Sequence, residues 1–358
     1  MMSEGNWQGR ATWLQKIVRW FWRRASLAPL TDSGMTAAQD KIVRLTALSP
    51  PLSQQTPARA RRSYRLLDEA FTIDRLALAK VSSHSFDGRN GAVGVRTYHS
   101  QQAAQSQNNA GLVYFHGGGC VIGDLDTHDR FCRVIAHQTD MVVISVDYHL
   151  APEHCFPAAI EDAIEGWNWS LDNAVSLNID VNRLGVGGDS AGGYLSVSVC
   201  HQALAPTLSV VPKALPNFQW LIYPWVDCRM TSESSRRCVS DMLLTRDTMT
   251  YFAGLFFGAE DDPLDPTVSP VLATSFAGLP PTYVATAGFD PLEDEGKLYA
   301  QQLREAGCRV SEDFFAHVMH GFIGMGGVCP LSRRHIETLL NQLVALAGDE
   351  MDHSKAQW

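Results

Sequence analysis

The chemistry-bearing residues of this chain fall at the ends of apolar runs. LGVGGDSAGGYLS places Ser190 inside G-x-S-x-G, residues 188–192, between a strand-like run and a helical one. That spacing suits a nucleophile: a sharp strand-to-helix turn lifts the serine Oγ clear of a sheet, and flanking glycines avoid clashes in the strained turn. A serine alone is a poor nucleophile and needs a base oriented by an acid. In chain order Ser, acid, His, the candidates are Asp290, at the end of PTYVATAGFD, and His320, where FFAHVMHGF gives way to a loop. His317 sits in a strand-like stretch and reads as a pleat residue. Glu293, Asp294 and Glu295 rival Asp290 as the acid, but they fall in the first turn of the next helix. Acids suit the dipole there without doing chemistry.

VYFHGGGCVIGD, residues 113–124, ends an apolar run in three glycines. It does not fit G-x-G-x-x-G. As a phosphate loop it fails at Asp124 and Leu125, where Lys and Ser/Thr are needed, and Asp124 would repel phosphate. The reading that remains is an oxyanion hole, whose backbone N–H donors contribute about 3–4 kcal/mol each. His116 then braces the loop by hydrogen bonding.

These residues need a scaffold. Apolar strands at 112, 141, 184, 220, 281 and 310 alternate with amphipathic helices such as THDRFCRVIAHQ and PAAIEDAIEGWNWSL. Unalternating apolar strands separated by helices predict an α/β fold with a mostly parallel sheet covered on both faces. Function in such a sheet sits in loops at the carboxyl ends of strands. Strand-like segments also occur near 73–80 and 92–98. The first ~75 residues read as helical, with patterns around Trp13–Phe21, 35–48 and 56–71 broken by Pro50, Pro51 and Pro57.

Composition narrows the classes. The 358 residues are 45% hydrophobic and carry a net charge of −9, which argues against nucleic acid as a partner. Eight cysteines show no C-x-x-C pair, so neither a metal site nor a disulfide framework is expected. No segment is long and apolar enough to span a bilayer. Lys16, Arg19, Arg23 and Arg24 interrupt the N-terminal apolar residues, unlike a signal peptide, so the expected compartment is the cytoplasm.

HGGG at 116–119, GDSAGG at 188–193, DPLEDEG at 290–296, HGF at 320–322 and YHLAPEHCFPAAIED at 148–162 together resemble the bacterial hormone-sensitive lipase family of α/β-hydrolases. The resemblance covers roughly residues 85–345. It implies an α/β-hydrolase fold and a serine carboxylesterase acting on small, short-chain acyl esters without a cofactor. Carried over, it makes Ser190 nucleophile, Asp290 acid and His320 base, with the amides of Gly118, Gly119 and Ala191 as oxyanion donors. It also implies a helical cap from residues 1–75 over a catalytic domain of residues 76–350, with 228–258 as a second cap piece. Two positions depart from the family pattern: His149 replaces an arginine, and Cys120 replaces an aromatic that would line the acyl pocket. The family often dimerises through its last strand and helix, so a homodimer is an expectation resting on resemblance alone. An amidase or deacetylase would use the same triad, and a non-catalytic receptor on this fold would be expected to lack one of its members. Tryptophans beside basic residues would also suit the N-terminal helix to weak contact with a membrane surface.

Overall fold

The computed structural model describes residues 34–348; the tryptophan-rich segment around Trp13–Phe21 lies outside the described residues. Two helices come first, α1 (Ala37–Thr46) and α2 (Pro57–Phe71). Thr36 caps α1 through its hydroxyl, and Pro57 opens α2 where a missing N–H costs nothing. Then follow β1 (Lys80–Gly88), β2 (Gly91–His99), α3 (Gln101–Gln105), β3 (Asn109–Phe115), α4 (Asp129–Thr139), β4 (Val142–Asp147), α5 (Ala158–Asp172), β5 (Ile179–Asp189) and α6 (Ala191–Leu204). The described chain ends with β6 (Gln219–Ile222), α7 (Glu233–Arg237), α8 (Arg246–Phe256), β7 (Thr282–Phe289), α9 (Glu293–Glu305), β8 (Val310–Met319) and α10 (Pro330–Leu346).

The eight strands form one sheet in the order β1-β2-β4-β3-β5-β6-β7-β8. From β4 to β8 all pairs are parallel, while β2 runs antiparallel to both β1 and β4. Strand residues alternate between two cores. Val113 and Phe115 join Ile160, Trp167 and Leu195 under α5 and α6, whereas Leu112 and Tyr114 join Phe131, Trp220 and Leu339 under α4 and α10. Both faces being covered explains why the parallel strands read as continuous apolar runs.

The strand expected near 73–80 is displaced. Residues 73–79 have no sheet partner; Ile73 is buried and Leu76 and Leu78 pack against the α4/α10 core as an irregular segment. The strand begins at Lys80 and is the polar, largely exposed edge β1, whose sequence KVSSHSFDG carries little apolar pattern. An edge strand buries too little to advertise itself that way.

A third apolar cluster fastens α1 and α2 to the carboxyl end of β8. Met35, Ala38, Ile42 and Phe71 meet Met319, Met325 and Val328. Buried Gln39 accepts the N–H of Met319 at 3.1 Å. Among the described residues, no helix is long and apolar enough to cross a membrane.

Candidate active site

Register places the site. Asp189 pairs with Ile222 and Gly188 with Phe115 at the carboxyl edge of the sheet, so Ser190 leaves β5 beside the loop that leaves β3. Two strands further, Phe289 pairs with Met319, which brings Asp290 and His320 alongside one another.

The turn at Ser190 is strained: φ is 56° and ψ −117°, a region that side-chain-bearing residues avoid. The surroundings hold it there. The Ser190 N–H donates to Ile222 O at 2.9 Å, and Ser190 O accepts from Trp225 N–H and Tyr194 N–H. Helix α6 starts at the next residue and directs its positive end at the same spot. Gly192 lies so close to β3 that a Cβ there would fall on the carbonyl oxygen of Phe115. Gly192→Ala should therefore cost about 3 kcal/mol of stability or more, read from the urea midpoint, because backbone offers no rotamer relief.

Three side chains form a hydrogen-bonded chain. Ser190 Oγ lies 2.9 Å from His320 Nε2, and His320 Nδ1 lies 2.7 Å from Asp290 Oδ2. Asp290 is fully buried, and its other oxygen accepts Leu292 N–H at 2.8 Å. With an acceptor carboxylate at Nδ1, the imidazole carries its proton there and offers a lone pair to the serine hydroxyl. The rival acids are engaged elsewhere. Glu293 pairs with Arg237 and Lys297, Asp294 accepts Ser234 N–H, and Glu295 accepts the N–H groups of Val226 and Asp227. Burial holds the Glu295 carboxyl well above its usual range. His317 faces away and contacts Gly34 O at 3.0 Å.

The glycine loop runs alongside. Gly118 has φ 126°, and a Cβ there would strike Ile122 O, whose residue closes the loop by donating its N–H to Gly118 O. Among the described residues, no acceptor is engaged by the amides of Gly118, Gly119 or Ala191. His116 braces the loop as expected: its Nδ1 lies 2.8 Å from Gly117 O, and Tyr148 OH donates to His116 O at 2.6 Å. Burial pushes the His116 imidazole down to about 4, so it is neutral near pH 7. Cys120 is fully buried, and its carbonyl accepts Ala151 N–H. All eight cysteines are free thiols. Among the described residues, no cluster of His, Cys, Asp or Glu has the geometry to hold a metal ion.

The helices before β1 and after β6 approach this loop. Arg61 of α2 donates to Val121 O and Ala151 O, Arg65 pairs with Asp124, and Phe252 of α8 lies against Gly119. Tyr251 OH of α8 donates to Gln55 O, joining the two helical segments.

Two groups escaped the sequence. Asp189 is buried and accepts Tyr114 OH at 2.6 Å and Gly117 N–H at 2.9 Å, and His128 Nε2 lies 3.4 Å from it. Their partners sit at positions 114, 117 and 128, so no local spacing announces them. Burial works against the Asp189 carboxylate, but His128 and Tyr114 outweigh it and hold its pKa below the usual carboxylate value. The stability that this carboxylate contributes is present above its unfolded pKa and is lost as pH falls through the depressed folded one.

A family model described as the alpha/beta hydrolase fold matches residues 112–324. The carboxylic ester hydrolase LipN of Mycobacterium tuberculosis is 43% identical over 216 residues, which are 60% of this chain and 57% of that protein. The chain thus spans little more than half the length of that relative. An ethyl acetate hydrolase of Pseudomonas putida is 36% identical over 261 residues, 73% of this chain and 79% of its own. Among solved structures, an ester-hydrolase from the Lake Arreo metagenome, complexed with a bipyridine phosphonate derivative, superposes with a TM-score of 0.82 at 34% identity. It covers 88% of this chain and 99% of its own. With this sheet order, the strained serine turn and a family model that spans that turn, the chain belongs to the α/β-hydrolase family, on its hormone-sensitive-lipase-like carboxylesterase branch.

Proposed function

We propose that this chain hydrolyses short-chain carboxylic esters by an acyl-enzyme route, with Ser190 as nucleophile, His320 as general base and Asp290 as its orienting acid. The observation that carries this is the hydrogen-bonded chain Ser190–His320–Asp290, at 2.9 and 2.7 Å, beside three amides without acceptors. His320 Nε2 takes the Ser190 proton as Oγ bonds to the ester carbonyl carbon. The carbonyl oxygen becomes an oxyanion and is received by the N–H groups of Gly118, Gly119 and Ala191. The tetrahedral species expels the alkoxide, which leaves as alcohol with the proton from His320. Water then gives its proton to His320 and attacks the acyl carbon, and the returned proton frees Ser190. Asp290 keeps the imidazole in the required tautomer and stabilises its charged form.

Bulky rings support a short acyl group. Phe252 lies against Gly119, and the Tyr223 ring centre is 4.4 Å from that of His320. On this reading α1, α2, α7 and α8 form the cap over the triad, since α2 and α8 both reach the glycine loop. A homodimer would pair through β8, which ends the sheet.

Rates on p-nitrophenyl esters from two to sixteen carbons test the substrate class. A maximum at about two to six carbons is expected, because each buried methylene adds only about 0.8 kcal/mol and a closed pocket withholds even that from longer chains. A maximum on emulsified long chains would overturn the short-acyl assignment. Faster turnover of a matched amide would overturn the ester assignment.

A further inference from the structure

The ester chemistry leaves the Asp189 carboxylate without a role, yet it bridges two parts of the site. Its backbone ends β5 immediately before Ser190, and its Oδ1 takes the N–H of Gly117, the residue before Gly118. Tyr114 OH reaches the same oxygen at 2.6 Å, and His128 Nε2 stands 3.4 Å away. Asp189 and His128 are each 4% exposed.

The surroundings of His128 suit its charged form. Its Nδ1 lies 3.0 Å from Thr127 Oγ1, and that hydroxyl directs its single proton to Asp124 O at 2.9 Å. The oxygen therefore presents a lone pair to Nδ1, while a carboxylate faces Nε2. Both ring nitrogens then meet acceptors, an arrangement that the doubly protonated imidazolium satisfies. The surrounding charges agree. Asp189 approaches from β5, Asp68 from α2 with Arg130 of α4 at 2.9 Å, and Asp124 from the glycine loop with Arg65. Neutral His116 stacks on the His128 ring at 5.3 Å, and the rings of Tyr64 and Tyr114 flank it. Burial alone would lower the His128 pKa; Asp189 foremost, with Asp124 and with Asp68, whose own carboxyl burial pushes up to about 7, outweighs it and holds the imidazole above its ordinary value.

We infer that His128 and Asp189 are positioning residues for the hydrolysis: together they fix the glycine-loop amides relative to Ser190 Oγ, so that the donors meet the oxyanion. The inference rests on the triad and oxyanion assignments proposed above. Asp189 holds the serine turn through the chain and the glycine loop through Gly117. His128 keeps Asp189 charged and in place; without it a buried anion loses its counter-charge, and both attachments loosen.

The test uses His128→Gln, Asp189→Asn and Tyr114→Phe in the full chain. Five quantities are read: kcat and KM on p-nitrophenyl acetate, inhibition by a trifluoromethyl ketone, melting temperature, and the kcat–pH profile. For His128→Gln, kcat should fall about 10²-fold, as a misplacement near 1 Å does. KM should stay within about threefold, since the lost interaction belongs to the transition state. Ketone affinity should weaken by the same factor as kcat, because its adduct bears the oxyanion. Wild-type kcat should decline as pH rises through the ionisation of His128, and the variant should lack that decline. Tyr114→Phe removes one donor without changing charge and should lower kcat several-fold even if the other two variants fail to fold. Folded variants that lose melting temperature but keep wild-type kcat and ketone affinity would overturn the inference. If Ser190→Ala is inactive while His128→Gln is fully active, only the positioning role falls; an active Ser190→Ala would remove the triad beneath it.

Discussion

Replacing Ser190 by alanine should lower kcat on p-nitrophenyl acetate by about 10⁶-fold and leave the folded structure intact, since loss of the nucleophile disables a serine triad as completely as loss of all three members. The stability half of this expectation follows from the turn. Ser190 occupies φ 56°, and its backbone N–H and C=O are bound to Ile222, Trp225 and Tyr194, none of which involves Oγ. Alanine makes the same backbone bonds, and the removed hydroxyl leaves a small void beside His320. The residual rate should come from the oxyanion amides and substrate binding alone, about 10³–10⁴ above water. Full activity in a folded Ser190→Ala protein would mean that another group attacks the ester.

Asp290→Asn should lower kcat by about 10⁴-fold with little change in KM. The carboxylate accepts at both oxygens, from His320 Nδ1 at 2.7 Å and from Leu292 N–H at 2.8 Å. An amide can keep only one of these as an acceptor. If its oxygen stays on Leu292 N–H, its NH₂ faces Nδ1 and forces the imidazole proton onto Nε2, where it can no longer accept from Ser190. The rival carboxylate supplies the control. Asp294 accepts Ser234 N–H at 2.7 Å in the turn after Asp290, so Asp294→Asn should affect stability modestly and kcat by less than about tenfold. Equal kcat losses for the two variants would contradict the assignment of Asp290 as the acid.

The parts of the site that could be read from the sequence are those whose chemistry demands local spacing. G-x-S-x-G is legible because the turn at Ser190 needs small neighbours within two residues, and Gly192 lies against Phe115 O. Asp290 and His320 are legible because each stands where a strand gives way to a loop, although only the β7–β8 register makes them neighbours. The parallel core strands show through for the same reason: burial on two faces leaves an uninterrupted apolar run. β1 does not, because a polar edge strand resembles a loop. The Asp189–His128 pair is equally silent. Its participants, at 68, 114, 116, 117, 128 and 189, come from α2, β3, the glycine loop, the start of α4 and β5. Sheet order sets 114, 117 and 189 side by side, and the packing of α2 and α4 at that edge adds 68 and 128. The acidic stretch that follows Phe289 illustrates the converse. Glu293, Asp294 and Glu295 look as acidic as Asp290 in the sequence, and only their partners Arg237, Ser234 and Val226 show that they are engaged away from His320.

The most direct measurement is mass spectrometry of the full chain after brief exposure to a fluorophosphonate, an electrophile that bonds to an activated serine with loss of fluoride. One adduct is expected, on the peptide containing Ser190, formed in the wild type, strongly slowed in Asp290→Asn and absent in Ser190→Ala. Labelling at a different residue, or undiminished labelling of Ser190→Ala, would contradict the central claim that Ser190 is the nucleophile activated by His320 and Asp290.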